Sequence, residues 1–290
     1  MRIEKLERWW NHWCWKKIFT ENHHFSWRSI NYSAIGTKHE RQGLPCQDYS
    51  NYRCYDDVLI GAVADGAGSA KHSDIGAQLA VETTLSFLSG TDKFQTSPRI
   101  AKWCEKKGNK YRLPKAQITQ RISHKIHDRV LKALTEQAEL IECQVADLAC
   151  TLLVFMATPH WFAAMQVGDG FLVVRSPEGQ FQLLFAPNKG EFPNQTTFIT
   201  CKAAKSHLQC KTLPRQAFIC AASDGLENVA IDASNGKPFP PFFTPLEECL
   251  QEDTSREEKE HYLQAFLESK RLNQKTSDDK TLLIACSYNQ

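Results

Sequence analysis

The chain has 290 residues, of which 42% are hydrophobic and 23% are charged, and its formal net charge is +2 at pH 7. This composition excludes a disordered chain, and the near-balanced charge favours neither nucleic acid nor a membrane surface as a partner. The 11 cysteines form no C-x-x-C pair, so we expect reduced thiols in a cytoplasmic protein rather than disulfides or a zinc site. No apolar run approaches the ~20 residues that span a bilayer.

The first 25 residues differ from the rest in composition. They hold four of the seven tryptophans, interleaved with Lys, Arg and Glu. We predict an N-terminal extension over residues 1–25 that docks its aromatic side chains on the domain or on a partner protein. Attachment to a membrane surface or to nucleic acid is the alternative. One domain is predicted over residues 26–290 because no Gly/Ser-rich or Pro-rich linker divides it.

The first half of this domain has two strand-like segments and two helical ones. Residues 26–36 and 58–64 read as strands joined through a polar turn at 37–48. Apolar residues at helical spacing predict a helix over 73–88, with Ser73 as its N-cap, and a second one over 118–134. A polar surface loop is expected between these helices, at 93–114.

The second half is dominated by short apolar segments of β character. Their close spacing predicts hairpins and an antiparallel sheet. A helix is predicted after them at 246–272, and a closing strand at 281–286. The pattern predicts an α+β fold in which sheets pack on each other with helices outside. The β-like segments are 149–157, 161–167, 171–175, 181–185, 197–200 and 216–222.

Aspartates mark the ends of several predicted strands. Three of them precede a glycine, which lets the backbone turn sharply and present its carbonyl to a ligand. Carboxylates gathered at one sheet end repel each other, so we expect a cation among them, and oxygen donors of this kind suit Mg²⁺ or Mn²⁺. Because a single Asp-Gly pair more often marks an ordinary turn, the hypothesis depends on the whole set. The aspartates are Asp48, Asp65, Asp169, Asp224 and the neighbours Asp278 and Asp279.

Five motifs in this order resemble those of the metal-dependent PPM (type 2C) protein serine/threonine phosphatases, especially their bacterial branch. The resemblance runs from about residue 33 to residue 285. It implies a four-layer α/β/β/α sandwich, in which helices flank a central antiparallel β-sandwich, with a binuclear Mg²⁺ or Mn²⁺ centre at one end. The motifs are HERQGLPCQD, VADGAGSAKHSDIGA, QVGDG, AASDGLEN and SDDKTLLIA.

The resemblance also implies a set of metal ligands at the matching positions. Asp65 would bridge two ions. The Gly66 carbonyl would hold one of them, and Asp224 and Asp278 would hold the other. Asp48 would hold a metal-bound water.

Further features of the site follow from the same resemblance. Asp169 would support a third, weaker ion. The segment at about 176–215 corresponds to a flap-like insert that tunes substrate choice. Its basic side chains could meet a phosphoprotein or simply face solvent; they are Lys202, Lys205, Lys211 and Arg215.

These groups fit hydrolysis of phosphoserine and phosphothreonine in proteins without a covalent intermediate. Two cations ~3.5–4 Å apart lower the pKa of a bridging water, which attacks phosphorus in line. The absence of a G-x-S-x-G motif agrees with a reaction that needs no protein nucleophile. The expected partner is a phosphoprotein, such as a protein kinase or its target.

Three positions depart from the family pattern. Gln47 stands where relatives often have Glu, and Ala67 stands where many have the His that protonates the leaving alcohol. His72 and His39 are candidate replacements for that acid. Arg41 only approximately matches the position of the arginine that binds the substrate phosphate. With that role, Arg41 would join Asp65 and Asp48 as a catalytic residue. The alternative is a catalytically weak or inactive member of the family that binds phosphopeptides or has a regulatory role.

Overall fold

The computed structural model describes residues 25–55, 57–90, 113–185 and 196–289. Most of the predicted N-terminal extension and most of the predicted 93–114 loop lie outside these ranges. The strands are β1 (Phe25–Ala34), β2 (Asp48–Tyr55), β3 (Val58–Asp65), β4 (Leu152–Ala157), β5 (Trp161–Val167), β6 (Phe171–Arg175), β7 (Gln182–Leu183), β8 (Gln209–Pro214), β9 (Phe218–Ala222), β10 (Ile231–Asp232), β11 (Lys237–Pro238) and β12 (Lys280–Asn289). The helices are α1 (Thr37–Gln42), α2 (Ser73–Ser89), α3 (Ala116–Leu140), α4 (Ala204–His207), α5 (Glu227–Ala230), α6 (Pro240–Gln251), α7 (Arg256–Leu267) and α8 (Lys270–Asn273).

Two antiparallel sheets form the centre of the fold. The first has the strand order β1-β12-β9-β6-β7, and the second has the order β2-β3-β4-β5-β8. Both sheets contribute to one apolar layer between them, with Leu59 and Phe155 from the second sheet against Leu172, Ile219 and Leu283 from the first. Burying each of these side chains contributes about 1.5–3 kcal/mol, so this layer holds the two sheets face to face.

Helices cover the outer face of each sheet. The apolar stripe of α3, which includes Ile126, Val130 and Leu134, packs with α2 on the second sheet. Helices α6 and α7 pack on the first sheet through residues such as Phe243 and Leu263. The predicted α/β/β/α sandwich is therefore confirmed. Within the described ranges, no helix combines the length and apolar character needed to cross a membrane.

The predicted 37–48 turn contains a short helix. Helix α1 begins after Gly36, whose carbonyl accepts a hydrogen bond from Glu40 N at 2.9 Å, and it ends at Gly43 with a φ of +66°. Ser73 was predicted to cap α2, but it is the first helical residue; the N-cap is His72, and no side chain caps this end.

Several boundaries in the second half of the chain were predicted wrongly. The strand expected at 197–200 is absent from the structure of that segment, and β8 was not predicted at all. Strand β7 covers only part of 181–185, and β4 begins three residues after the predicted start at 149. The apolar run of residues 149–151 leads into β4 instead, with Thr151 hydrogen-bonded to Asp65.

The connection between β5 and β6 is not a hairpin. Strand β5 belongs to the second sheet and β6 to the first, so this short connection crosses the sandwich. Both strands are apolar throughout their centres because each is covered on two sides. Sequence spacing alone cannot distinguish a hairpin from such a crossing.

The single helix predicted over 246–272 is divided into α6, α7 and α8. A capping box starts α7: Ser255 Oγ accepts a hydrogen bond from Glu258 N at 3.1 Å, and Ser255 N donates to Glu258 Oε2 at 2.9 Å. Ser269 Oγ caps α8 by accepting from Leu272 N at 3.3 Å. Each cap satisfies backbone donors that a continuous helix would have paired internally.

Candidate active site

The predicted aspartates lie at one end of the β-sandwich. Strand β3 ends at Asp65 where its partner β2 begins at Asp48, and these two residues are paired in the antiparallel register. In the first sheet, Ala222 at the end of β9 pairs with Leu282 near the start of β12, so Asp224 and Asp278 flank the same end. Asp169 lies between β5 and β6, where the chain crosses from one sheet to the other.

The side chains of Asp65 and Asp224 face each other. Their carboxyl groups are within hydrogen-bonding reach, and the charges of Asp48 and Asp169 also act on Asp65. The charge of Asp278 acts on Asp224. The structure therefore brings together the side chains of all five aspartates that the sequence analysis assigned to metal binding.

The backbone of Asp65 is fixed by one neighbouring threonine. Asp65 N donates to Thr151 Oγ1 at 3.0 Å, and Thr151 N donates to Asp65 O at 2.8 Å. The next residue, Gly66, has no room for a side chain: a Cβ there would lie 2.7 Å from Gln47 O and 2.8 Å from Ser73 Cβ. The turn that carries Asp65 is thus held tightly against β2 and α2.

Burial and mutual repulsion raise the pKa of three of these carboxyl groups. Burial raises the pKa of Asp48 to about 7, with a further contribution from the charge of Asp279. Burial and the charge of Asp169 raise the pKa of Asp224 to about 6. The pKa of Asp65 is raised well above its ordinary value by burial and by Asp48. A bound cation would reverse these shifts by favouring the charged carboxylates.

These shifts predict an unusual pH dependence of stability. The folded-state pKa values of Asp48 and Asp224 exceed the ~3.9 of an unfolded chain. The folded chain therefore binds more protons between these values, and the free energy of unfolding falls as pH rises from about 4 to about 7. We expect the thermal midpoint in chelator to fall over this range, and millimolar Mg²⁺ to reduce the fall by binding the charged groups. Equal pH slopes with chelator and with Mg²⁺ would contradict this expectation.

Two buried oxygen atoms at the point where β2 begins have no hydrogen-bond partner among the described residues. They are Asp48 Oδ2 and Gln47 Oε1, which belong to side chains that are 5% and 6% exposed. Unpaired buried oxygens are costly, and a hydrated divalent cation would satisfy them. Across the described ranges, no group of three or more His, Cys, Asp or Glu side chains is arranged as a metal site. The donor chemistry, carboxylates beside the Gly66 carbonyl, suits Mg²⁺ or Mn²⁺, which would complete their coordination with water.

Asp279 has a different position from its neighbour Asp278. Its two carboxylate oxygens accept hydrogen bonds from Gly36 N and Gln47 N, both at 2.6 Å. His39 Nδ1 lies 3.0 Å from Asp279 Oδ2, and both side chains are buried. Asp279 thus ties α1 and the start of β2 to β12, whereas Asp278 is exposed beside Asp224.

The candidates for proton donation and phosphate binding are not gathered around the aspartates. The His39 ring is 4% exposed and engaged with Asp279, which contradicts its assignment as the acid that protonates the leaving group. His72 is half-buried at the start of α2 and stays a prediction. Arg41 is exposed on α1, and the structure shows no hydrogen bond or ion pair from it to the five aspartates.

At position 67, where many relatives have the histidine that protonates the leaving group, this chain has an apolar cluster, which we call the apolar wall. Ala67 packs with Ala70 and Ala149, and Phe198 covers this cluster. Ala67 N donates to Ala149 O at 2.9 Å, which fixes the wall beside Gly66. The strand prediction at 197–200 missed this packing role of Phe198.

Sequence analysis also missed two polar residues that support the site. Thr151 binds the backbone of Asp65, and Thr196 Oγ1 donates a hydrogen bond to Asp169 Oδ2 at 2.5 Å. Thr151 could have been identified from the sequence, because it is a polar residue inside the apolar segment LACTLLVF. No local signal identifies Thr196, because its partner lies 27 residues away in the chain.

Comparisons with known proteins agree with this fold. The profile of the family described as Protein phosphatase 2C matches residues 35–268. The chain is 33% identical over 268 residues to Serine/threonine-protein phosphatase 3 of Escherichia coli (strain K12), and the match covers 90% of this chain and 98% of that protein.

Solved structures with low sequence identity share the fold. A bacterial serine phosphatase has a TM-score of 0.57 at 12% identity, with 90% of this chain and 98% of that chain covered. Stp1 from Staphylococcus aureus has a TM-score of 0.57 at 11% identity, with 90% and 95% covered. The catalytic domain of PstP, solved in complex with 2 manganese ions, has a TM-score of 0.53 at 15% identity, with 91% and 99% covered. The recognition made from five motifs is confirmed, and the chain belongs to the protein phosphatase 2C family of protein serine/threonine phosphatases.

Proposed function

We propose that this chain removes phosphate from phosphoserine and phosphothreonine in proteins at a binuclear Mg²⁺ or Mn²⁺ centre. The observation that carries the proposal is the convergence of Asp48, Asp65 and Asp224, which start or follow three different strands. Keeping such carboxyl groups together costs free energy unless a cation binds among them. Family membership makes a phosphoprotein the substrate class.

Each residue of the site has a proposed role. Asp65, placed between Asp48 and Asp224, would contact both ions, and the Gly66 carbonyl would contact one of them. Asp224 and Asp278 would hold the second ion, and Asp48 would orient a water molecule. When bound, two such cations activate water and neutralise the oxygens of the phosphate. Asp169 would support a third ion.

The apolar wall at Ala67 affects the leaving group. Ala67, Ala70, Ala149 and Phe198 carry no side-chain proton donor, and His39 is engaged with Asp279. The residues around the aspartates therefore exclude bulk water from one side of the site, and proton delivery to the leaving alkoxide falls to solvent or to His72. We propose no catalytic role for Arg41 beyond contact with the substrate phosphate from its exposed position on α1.

The proposal is tested by phosphate release from a phosphothreonine peptide and from p-nitrophenyl phosphate. We expect release with Mn²⁺ or Mg²⁺ and none with excess chelator, with activity restored when the ion is added back. A protein that binds the phosphopeptide but releases no phosphate with any divalent ion would contradict the proposal and favour the inactive binding module.

We further propose that the chain acts in the cytoplasm on a protein kinase or a kinase target. Several described cysteines are free thiols, as expected in a reducing compartment; they are Cys46, Cys143, Cys150, Cys201, Cys210, Cys220, Cys249 and Cys286. The organisation into an extension at 1–25 and a phosphatase domain at 26–290, with a flap-like insert at about 176–215, stays a proposal. Docking of a partner through the Trp-rich segment also stays a proposal, and a pull-down in which deletion of residues 1–25 loses no interaction would contradict it.

A further inference from the structure

The turn that carries Asp169 is fixed from the inside of the sandwich. Gln166 Nε2 donates to Gly168 O at 3.1 Å and to Gly170 O at 2.6 Å, and the Gln166 side chain is buried. Gly168 has a φ of +114°, which side-chain-bearing residues rarely adopt. These contacts fix the backbone of Asp169, so only its side-chain carboxylate can still rotate.

That rotation is restricted by Thr196. Its hydroxyl donates to Asp169 Oδ2 at 2.5 Å, and the structure shows no hydrogen bond to the other oxygen, Oδ1, from any described residue. Asp169 is 9% exposed, and its charge acts on both Asp65 and Asp224. A hydrogen bond from a hydroxyl to a buried carboxylate is charge-assisted and stronger than one between neutral groups.

Thr196 belongs to a segment anchored at several points, residues 196–207, which we name the strap. Ile199 N donates to Cys150 O at 2.8 Å, next to Thr151. Phe198 packs on the Ala67 cluster. Lys205 Nζ lies 2.6 Å from Asp128 Oδ1 on α3. The hydroxyl of Thr196 is therefore presented to Asp169 by a segment fixed to both the second sheet and its covering helix.

We propose that Thr196 is a positioning residue for a cation bound at Asp169. By holding Oδ2, its hydroxyl keeps the carboxylate in one orientation and leaves Oδ1 to bind the ion. This inference rests on the proposed function, because it concerns the third and weakest ion of that site. Loss of an outer hydrogen bond to a metal-binding carboxylate typically weakens metal affinity about 10- to 100-fold, and we expect the lower end because the Asp169 backbone stays fixed.

The test is a Mn²⁺ titration without substrate, with free Mn²⁺ followed by electron paramagnetic resonance. Thr196→Val keeps the shape and removes the hydroxyl, so we expect the weakest Mn²⁺ site to bind about tenfold less tightly. Thr196→Ser keeps the hydroxyl and should bind within about twofold of the wild type. Thr196→Ala repeats the loss with a smaller side chain.

Thr197→Val is the matched control. It also removes a hydroxyl from the strap, but Thr197 Oγ1 contacts His207 Nδ1 at 3.1 Å rather than an aspartate. We expect its weakest site to be unchanged. Equal losses in Thr197→Val and Thr196→Val would overturn the proposal in favour of a general packing role of the strap.

The other outcomes separate this inference from the proposed function. If Thr196→Val binds every Mn²⁺ ion as the wild type does, the role of Thr196 is overturned and the metal-dependent phosphatase stands. If the wild type itself binds no Mn²⁺, both are overturned.

Discussion

Asp65→Asn is expected to reduce phosphate release by at least about 1,000-fold, which corresponds to about 4 kcal/mol of the activation barrier. Asparagine has the shape of aspartate but only one oxygen and no charge, so it cannot serve two cations. Asp65 has this importance because it lies between Asp48, its partner across the strand pair, and Asp224 at the end of the other sheet.

The same substitution should not unfold the protein. The Asp65 backbone is held by Thr151 on both sides, and these bonds do not involve the carboxylate. Removing one of several repelling charges should leave the thermal midpoint in chelator at or above that of the wild type at about pH 7.5. Activity measured with saturating Mn²⁺ and unfolding measured in chelator check the two halves of this prediction.

Asp253→Asn is the matched control for Asp65→Asn. Asp253 is exposed between α6 and α7, and we expect full activity when its charge is removed. If Asp65→Asn retained more than about a tenth of the wild-type rate, a loss smaller than about 1.4 kcal/mol, Asp65 would not be the bridging ligand.

Asp279→Ala is expected to lower the free energy of unfolding by about 3 kcal/mol. It leaves the backbone N–H groups of Gly36 and Gln47 without the acceptors they have at 2.6 Å. It also leaves the buried His39 ring without its contact. Each buried donor that loses its partner costs about 1–3 kcal/mol, and relief of the repulsion with Asp48 offsets a part of the sum. Urea unfolding in chelator measures the effect without a contribution from bound metal.

Asp278→Ala provides the contrast. This side chain is exposed, and its Oδ1 accepts a hydrogen bond from Asp279 N at 3.0 Å. We expect a loss of stability below about 1 kcal/mol together with a large loss of metal-dependent activity. Two neighbouring aspartates would then have opposite roles, one in stability and one in metal binding. Equal effects of the two substitutions on stability would contradict this assignment.

The aspartate end of the sandwich could be predicted because its signals are local. A buried strand followed by an Asp-Gly pair, as near Asp65 and Asp224, predicts both where the strand ends and where a carboxylate could bind a metal ion. Because β3 and β9 belong to different sheets, their ends meet through the face-to-face packing of two apolar sheets, which the sequence also predicted. Helix α3 could be predicted in the same way, because its apolar residues repeat at helical spacing within one continuous segment.

The remaining features depend on contacts between distant parts of the chain. Asp279 resembles Asp278 in sequence, and only the position of α1 shows that it accepts two backbone hydrogen bonds. Thr196 contacts Asp169 from a position 27 residues further along the chain. Strand β8 has mixed polarity because it lies at the edge of its sheet, so its pattern did not stand out from the surrounding loop.

The most direct test of the metal centre is a crystal soaked in Mn²⁺, with diffraction data collected at the manganese absorption edge. We expect anomalous peaks beside Asp65 that extend to Asp224 and Asp48. Anomalous maps with no peak at Asp65, from crystals whose protein releases phosphate, would contradict a reaction carried by metal ions among these aspartates.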